Sequence, residues 1–426
     1  MFGDAVNFLL SLSFGQAIAV FWYFFIFDLP RYTISAISLI IVDITDFIYK
    51  GNLKNNSGSK IDESTPVSLL LVGHNEGKKL YHCIMSVLEQ KLNNIEIIVV
   101  DDGSTDNTAV IGEELYNKGL INAFLQTGLR GGKAAALNYG FRRCTRSIVI
   151  SADIDTTFDR DAFNYIIFPF FNDKIGAVSG NIGVRNHKNS LLASIQYIQY
   201  LISISLGRKF LTHIDALAIV PGGFGAFRKQ AVESVGGWDV GPGDDSALTA
   251  KLRLAGWKIG FAQHAWALTD VPSKLQGFIN QQMRWNRSVV RNRLRIFKNI
   301  LNPAYGQFNF SNVVSTVNIL FFQVFLSWSF FLYQIWLFYM FGLNAFVFII
   351  AISILYMFED FLVYTYIVIK FPEREKQWLY LPLFAPFKSY FLRGIRAIAY
   401  IDEIIFRHSY KDEFYPSKVR KQVHRY

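Results

Sequence analysis

The stretch Ile95-Glu96-Ile97-Ile98-Val99-Val100-Asp101-Asp102-Gly103-Ser104 decides the fold. A short β-branched run that stops at two acids and turn residues is the pattern of a buried strand delivering carboxylates at its carboxyl end. Working outward, the same grammar recurs. Val67-Ser68-Leu69-Leu70-Leu71-Val72 stops at Gly73, and Ser147-Ile148-Val149-Ile150 leads to Asp153. Helical spacing separates the strands: Glu76 to Gln90, with Leu80, Ile84, Val87 and Leu88 in register, then Asp106 to Lys118 and Lys133 to Arg143. Ile121 to Gln126 supplies a further strand. Strands and helices alternating with short loops predict an α/β domain whose parallel sheet is covered by helices on both faces. Ligands of such sheets bind outside the carboxyl ends of the strands, where both Asp motifs fall. Beyond Ala152 the pattern loosens. Ile175 to Val184 and Ala216 to Phe227 read as strands, with Leu191 to Leu206 a helix between them and Ala247 to Ala255 an amphipathic helix after them.

The two ends of the chain differ from this middle. Hydrophobic residues make up 51% of the 426 positions, with 40 Phe, and the excess is terminal. Val6 to Phe27 is uncharged and long enough for one span, with Asp28-Leu29-Pro30-Arg31 as its break. Tyr32 to Lys50 contains Asp43 and Asp46 and suits either a second span or an interfacial helix. Lys50 to Glu63 reads as a polar linker. No charge occurs from Asn299 to Phe358, and Val314 to Phe341 and Leu343 to Lys370 each exceed a bilayer's thickness. Trp378 to Phe387 is too short to span and continues into charged residues. This predicts a membrane and interfacial segment over 1–50, a domain over 51–300, membrane and interfacial helices over 301–405, and a basic tail over 406–426. The net charge of +10 needs no nucleic acid: Arg284 to Lys298 and Arg407 to Arg425 flank apolar segments, as juxtamembrane regions facing anionic lipid do. Cys83 and Cys144 read as reduced thiols.

Four motifs carry chemistry. Asp153-Ile154-Asp155 puts two carboxylates at a strand end, where Mg or Mn would take their oxygens together with those of a substrate diphosphate; a chance loop spacing is the bland alternative. Asp101-Asp102 suits either an Asx turn with Gly103 and Ser104 or hydrogen bonds from a ribose or base. Asp244-Asp245 suits either a helix cap or a general base for an attacking sugar hydroxyl. In Gln281-Gln282-Met283-Arg284-Trp285, Arg284 offers a fork for phosphate oxygens and Trp285 a flat face for a sugar ring, or the pair anchors at an interface. Lys133 after Gly131-Gly132 suits a phosphate contact or a plain helix start. Pro221-Gly222-Gly223-Phe224-Gly225 permits close backbone approach to a ligand. His74 and His264 read as structural.

In this order, Val100-Asp101-Asp102-Gly103-Ser104, Asp153-Ile154-Asp155, Gly243-Asp244-Asp245 and Gln281-x-x-Arg284-Trp285 resemble the processive, membrane-embedded family 2 glycosyltransferases. That group includes cellulose, chitin, hyaluronan and poly-N-acetylglucosamine synthases. The resemblance implies a cytosolic GT-A domain with a parallel-rich sheet, terminal transmembrane helices in the cell (inner) membrane, and Mg or Mn. It also implies a UDP-sugar donor, inverting β-transfer to a growing polysaccharide acceptor, and passage of the polymer through the bilayer, with export partners possible. Carried over residue by residue, Asp102 with Asp101 meets the uridine, Asp155 with Asp153 the metal and diphosphate, and Asp245 beside Asp244 becomes the base. Gln281 and Arg284 lie by the diphosphate and Trp285 by the acceptor. Cellulose synthases have Thr-Glu-Asp at the base position; Gly243-Asp244-Asp245 is more like hyaluronan synthases. The alternative is a single-transfer enzyme acting on a lipid-linked acceptor.

Overall fold

The computed structural model describes residues 2–53, 65–304, 308–412 and 415–423. It divides into two units. One joins Met1–Gly58, His187–Phe210 and Val317–Tyr400; the other joins Ser59–Asn186, Leu211–Thr316 and Ile401–Tyr426. A continuous domain over 51–300, the expectation from sequence, therefore runs across both.

The second unit is built on one sheet. Among the described residues its strands are β1 (Val67–Gly73), β2 (Ile95–Asp101), β3 (Ala123–Gln126), β4 (Ile148–Asp153), β5 (Thr157–Phe158), β6 (Ile175–Val184), β7 (Phe224–Arg228) and β8 (Lys258–Thr269). They lie in the order β3-β2-β1-β4-β7-β6-β8-β5. The first four are parallel, as expected. The sheet is then mixed, because β7 runs antiparallel to both β4 and β6 while β6 and β8 are again parallel. The expected strand over Ala216 to Phe227 shortens to Phe224–Arg228, since Pro221 has no donor for a ladder and Gly222-Gly223 weaken an extended run.

Helices α1 (Gly77–Leu88), α2 (Thr108–Asn117) and α3 (Lys133–Phe141) fall where the spacing predicts them, followed by α4 (Ala162–Ile167), α5 (Lys229–Ser234), α6 (Asp244–Leu254) and α7 (Leu275–Val290). The core joins Leu70, Val72, Ile98 and Val100 of the strands to Leu137 and Phe141 of α3, Trp238, and Leu248 and Leu252 of α6. Apolar burial of this kind, worth about 25 cal/mol per Å², fixes where the strand ends lie.

In the helical unit, Val6 to Phe27 is not one helix. Phe2–Ser11 stops, and Ser13 caps a new helix, Phe14–Val20, through a capping box with Gln16. Asp28 does not break the chain either. The wide turn Phe24–Asp28 runs straight into the helix Leu29–Leu53, because the Asp28 carboxylate is matched by Arg393 at 2.7 Å and by the Tyr356 hydroxyl. Lys50 to Leu53 of the expected linker belong to that helix, and the rest of the linker lies outside the described residues. Phe24–Thr45 and Phe310–Lys370 are long and apolar enough to cross a membrane. The latter is two long arms turned at Gly342, whose φ of +55° glycine adopts without strain.

Tight glycine packing gives the first prediction. A methyl on Gly180 of β6 would lie 2.1 Å from Cδ1 of Phe224, a fully buried ring pressed against Phe158 with centroids 5.1 Å apart. Gly180→Ala should cost about 1–3 kcal/mol by overpacking, read as a lower denaturation midpoint of the full chain. An unchanged midpoint would show that the ring yields freely.

Candidate active site

The site forms where the parallel half of the sheet meets the antiparallel half. β1 and β4 are adjacent and parallel, so Gly73 and Asp153 end side by side. Ile154 then folds over Gly73, where an added methyl would lie only 2.7 Å from its Cδ1. This apolar anchor sits between the two acids of Asp153-Ile154-Asp155. Because β7 runs against β4 with Ala152 paired to Phe224, Pro221-Gly222-Gly223 is carried to Asp153.

Three charged side chains meet there. Lys133, the first residue of α3, places Nζ 2.5 Å from Asp153 Oδ1. Asp245, in the first turn of α6, accepts the Gly222 N–H at 2.7 Å through Oδ2. A methyl on Gly222 would lie 2.4 Å from Lys133 Nζ and 2.7 Å from Asp245 Oδ1, so the position leaves no room for a side chain. Asp155 faces Lys79 at 3.7 Å. Its carbonyl accepts from Arg185 at 3.0 Å, and Arg185 is itself held by Asp270 at 2.8 Å and donates to Thr157 Oγ1.

The electrostatics follow from crowding four carboxyl groups out of water. Burial raises Asp153 above the usual carboxylate range in spite of Lys133. Burial and then the charge of Asp153 raise Asp155. Burial and then Asp245 push Asp244 up to about 7, and Asp244 Oδ2 is buried without a hydrogen-bond partner among the described residues. Burial works against the Lys133 ammonium, but Asp153, Asp245 and Asp244 outweigh it and hold its proton tightly. Such a site is short of positive charge. Asp153 and Asp155 are hard oxygen donors of the type Mg and Mn take, and among the described residues no third His, Cys, Asp or Glu joins them. The two fit a cation whose remaining ligands are substrate oxygens and water.

Asp101 and Asp102 behave differently from the others. Asp101 Oδ1 accepts the Ser104 N–H at 2.9 Å, the Asx turn that its sequence allows. Asp102, only 3% exposed, accepts Gly131 N–H at 2.7 Å and Gly132 N–H at 2.8 Å on its two oxygens. It thereby ties the end of β2 to the loop that presents Lys133.

Gln281, Arg284 and Trp285 share α7. Phe278, Gln282, Asn286 and Val290 are its buried residues, one every four positions. Trp285 lies off that stripe and is 42% exposed, while Gln281 Oε1 is buried with no hydrogen-bond partner among the described residues.

Sequence reasoning missed Lys79, Arg185 and Asp270, whose partners are distant in the chain, and it missed the C-terminal segment. The end of the segment read as membrane and interfacial (301–405) and the basic tail after it (406–426) both contact this unit. Asp402 pairs with Arg287 at 2.5 Å, Glu403 with Arg295 at 2.6 Å, and Arg291 lies over the Tyr410 ring at 5.4 Å. Val419 and Pro416 come within 3.4 and 3.6 Å of where a Gly132 methyl would be. Tyr415 is held above the usual phenol range by burial, then by Asp244, with Arg284 opposing. Tyr410 and Val419 form an apolar cluster with Val240, too sparse a pair to read from sequence.

A mixed sheet with acids at its carboxyl edge is a GT-A-like arrangement. Residues 68–236, which include Asp101, Asp102, Lys133, Asp153 and Asp155, match the family model for glycosyl transferase family 2. Over 238 residues, 55% of this chain and 57% of the relative, it is 36% identical to poly-beta-1,6-N-acetyl-D-glucosamine synthase of Staphylococcus aureus. The synthase of Staphylococcus epidermidis is 36% identical over 221 residues, 51% of this chain and 53% of the relative. The chain thus spans about half the length of the curated relatives it matches. In three dimensions it is similar to a mannosyltransferase from Pyrobaculum calidifontis in complex with GDP-Man and Mn2+, with a TM-score of 0.56 at 19% identity, covering 86% of this chain and 99% of that one. That likeness supports the fold.

Asp244 gives a pH prediction. Its folded pKa of about 7 exceeds the unfolded value of about 4, so the folded chain binds the extra proton between those limits and loses stability as pH rises through them. The denaturation midpoint should fall from pH 5 to pH 8 in metal-free buffer, and Asp244→Asn, which stays neutral, should flatten part of that fall. An identical slope in the variant would place Asp244 in a more solvated setting.

Proposed function

We propose that this chain is a membrane-embedded, processive, inverting glycosyltransferase that elongates a β-linked polysaccharide from a UDP-sugar and passes it across the bilayer. The observation that carries this reading is the meeting of Lys133, Asp153 and Asp245 at Gly222, on a domain whose relatives are named as poly-beta-1,6-N-acetyl-D-glucosamine synthases. Those names favour UDP-GlcNAc over UDP-glucose as donor. The two apolar stretches Phe24–Thr45 and Phe310–Lys370 support a multi-pass protein of the cell (inner) membrane with its catalytic domain in the cytoplasm, next to the donor.

The residues divide the work as follows. Asp153 and Asp155 hold Mg or Mn, which when bound supplies positive charge to the donor diphosphate. Lys133 and Arg284 take up the charge that develops on the leaving diphosphate, with Gln281 beside them. Asp102 and Asp101 fix the loops against which the uridine rests. Asp245 uses one oxygen to accept the Gly222 N–H and the other to remove the acceptor hydroxyl's proton. The hydroxyl oxygen bonds to the anomeric carbon from the face opposite the diphosphate. The carbon–phosphate-oxygen bond breaks, its electron pair leaves with UDP, and the configuration inverts. Asp245 afterwards releases its proton to water.

Asp245→Asn should lower turnover about 100- to 10,000-fold, the usual worth of a general base, with UDP binding retained. Radiolabelled UDP-GlcNAc incorporation into enzymatically digestible polymer by protein in nanodiscs measures it. Turnover near the normal rate would leave Asp245 as a helix-start residue alone.

Trp285→Ala tests processivity. The half-exposed indole on α7 suits a sugar face, and its loss removes about 1–3 kcal/mol of burial and stacking. Acceptor residence should shorten by about 5- to 150-fold, giving short products with donor hydrolysis partly kept. Full-length product from a smaller amount of membrane-inserted protein would make Trp285 an interfacial anchor instead.

A further inference from the structure

The residue assigned as base follows a turn that is bonded both within its own helix and to a second element. Gly243, which precedes Asp244 and Asp245, is the residue before the first turn of α6 and adopts φ +76°, a left-handed conformation with no side chain to hold it. No side-chain cap closes this helix start. Within α6 the Gly243 carbonyl accepts from the Ala247 N–H and the Ser246 hydroxyl, each at 3.0 Å, and further bonds come from a different element, the continuation of α7. Asn292, fully buried, donates from Nδ2 to the Gly243 carbonyl at 2.8 Å and to Ser246 Oγ. Arg291, its neighbour, donates to the Pro242 carbonyl at 2.8 Å. A methyl on Gly243 would lie 2.7 Å from Asn292 Nδ2 and 2.8 Å from Ser288 Cβ, so side chains of α7 and its continuation pack directly on the turn.

We propose that Asn292 and Arg291 are positioning residues for transfer, and that α7, which carries Gln281, Arg284 and Trp285 on its earlier turns, sets the placement of Asp245. Three main-chain and hydroxyl acceptors on the turn, Pro242 O, Gly243 O and Ser246 Oγ, are engaged by two adjacent side chains of one element. A shift of that element moves the helix start, and with it the carboxylate that Gly222 must meet at 2.7 Å. Acceptor binding and base alignment are thereby joined through one helix: a sugar seated on Trp285 and a proton leaving to Asp245 are both referred to the same rigid rod. The inference rests on Asp245 being the base.

The test compares Asn292→Ser, Arg291→Gln, the double variant and Asp245→Asn, all in the full chain in nanodiscs with UDP-GlcNAc. Asn292→Ser should lower kcat about 10- to 100-fold, the cost of a misplaced catalytic group, with donor KM within about twofold of the normal value. The acid limb of its pH–rate profile should also move. Arg291→Gln should act in the same direction, and the double variant should fall little below the worse single one, since both side chains hold one turn. A kcat within about twofold of normal for both single variants, or a donor KM that rises in step with the loss of kcat, overturns the proposal. If Asn292→Ser does not fold, judged by its melting midpoint, Arg291→Gln carries the same two readouts. Loss of turnover in Asp245→Asn with normal Asn292→Ser and Arg291→Gln defeats the positioning role alone; normal turnover in Asp245→Asn defeats the base assignment.

Discussion

Like charges held together out of water are the constraint on which the rest of this site depends. Asp153, Asp155, Asp244 and Asp245 lie near one another, with Lys133, Lys79 and Arg185 among the cations that act on them. Partly exposed carboxylates, such as Asp153 at 36% and Asp155 at 21% of the side chain, still repel one another, so the fold must hold them together. It does so with rigid backbone: Ile154 wedged over Gly73, the Gly222 N–H aimed at Asp245, and Arg185 gripping the Asp155 carbonyl. None of these would be needed to stabilise a plain α/β sandwich. On the proposed reading, the net negative charge that remains is what a metal and its diphosphate would meet.

The reversal at β7 explains how the cluster is assembled. A parallel neighbour to β4 would bring its carboxyl end, and whatever loop left it, to Asp153. The antiparallel neighbour brings its amino end instead, so Pro221-Gly222-Gly223 approaches as bare backbone. Backbone N–H groups carry partial positive charge at fixed positions and lose no side-chain entropy on binding. That suits a place where a base must be held while one of its oxygens stays available.

How much of this could be read in the sequence depended on the range of the contacts involved. The strands and helices up to Asp153 each bury their own periodic face, and Leu70, Val100 and Leu137 announce themselves. From β6 onward the strands are defined by partners far away in the chain. Lys258–Thr269 has no clean alternation, because it pairs with β6 through two register shifts. The three acid motifs and Gln281-x-x-Arg284-Trp285 were legible as types and positions. Their geometry was not: Asp102 turned out to be committed to Gly131 and Gly132, and Lys133, indistinguishable from a helix start, stands at the centre. The basic character of residues 407–423 pointed to lipid, yet the fold of that segment follows from Asp402, Glu403 and Tyr410 meeting an arginine ladder on α7 and its continuation.

If the chain polymerises as proposed, that ladder bears on what such an enzyme has to solve. Successive transfers need the product to slide while the reacting atoms stay in register, so one part of the site must yield and another must not. Along α7 the exposed Trp285 presents a face without directional bonds, across which a sugar can move. Two turns later Arg291 and Asn292 make directional bonds to the base turn, and Arg287 and Arg295 fasten the same element to Asp402 and Glu403. Stacking is tolerant of translation and hydrogen bonds are not. On the proposed reading, placing the first at the acceptor end of a helix and the second beside Asp245 would let a polymer advance without carrying Asp245 with it.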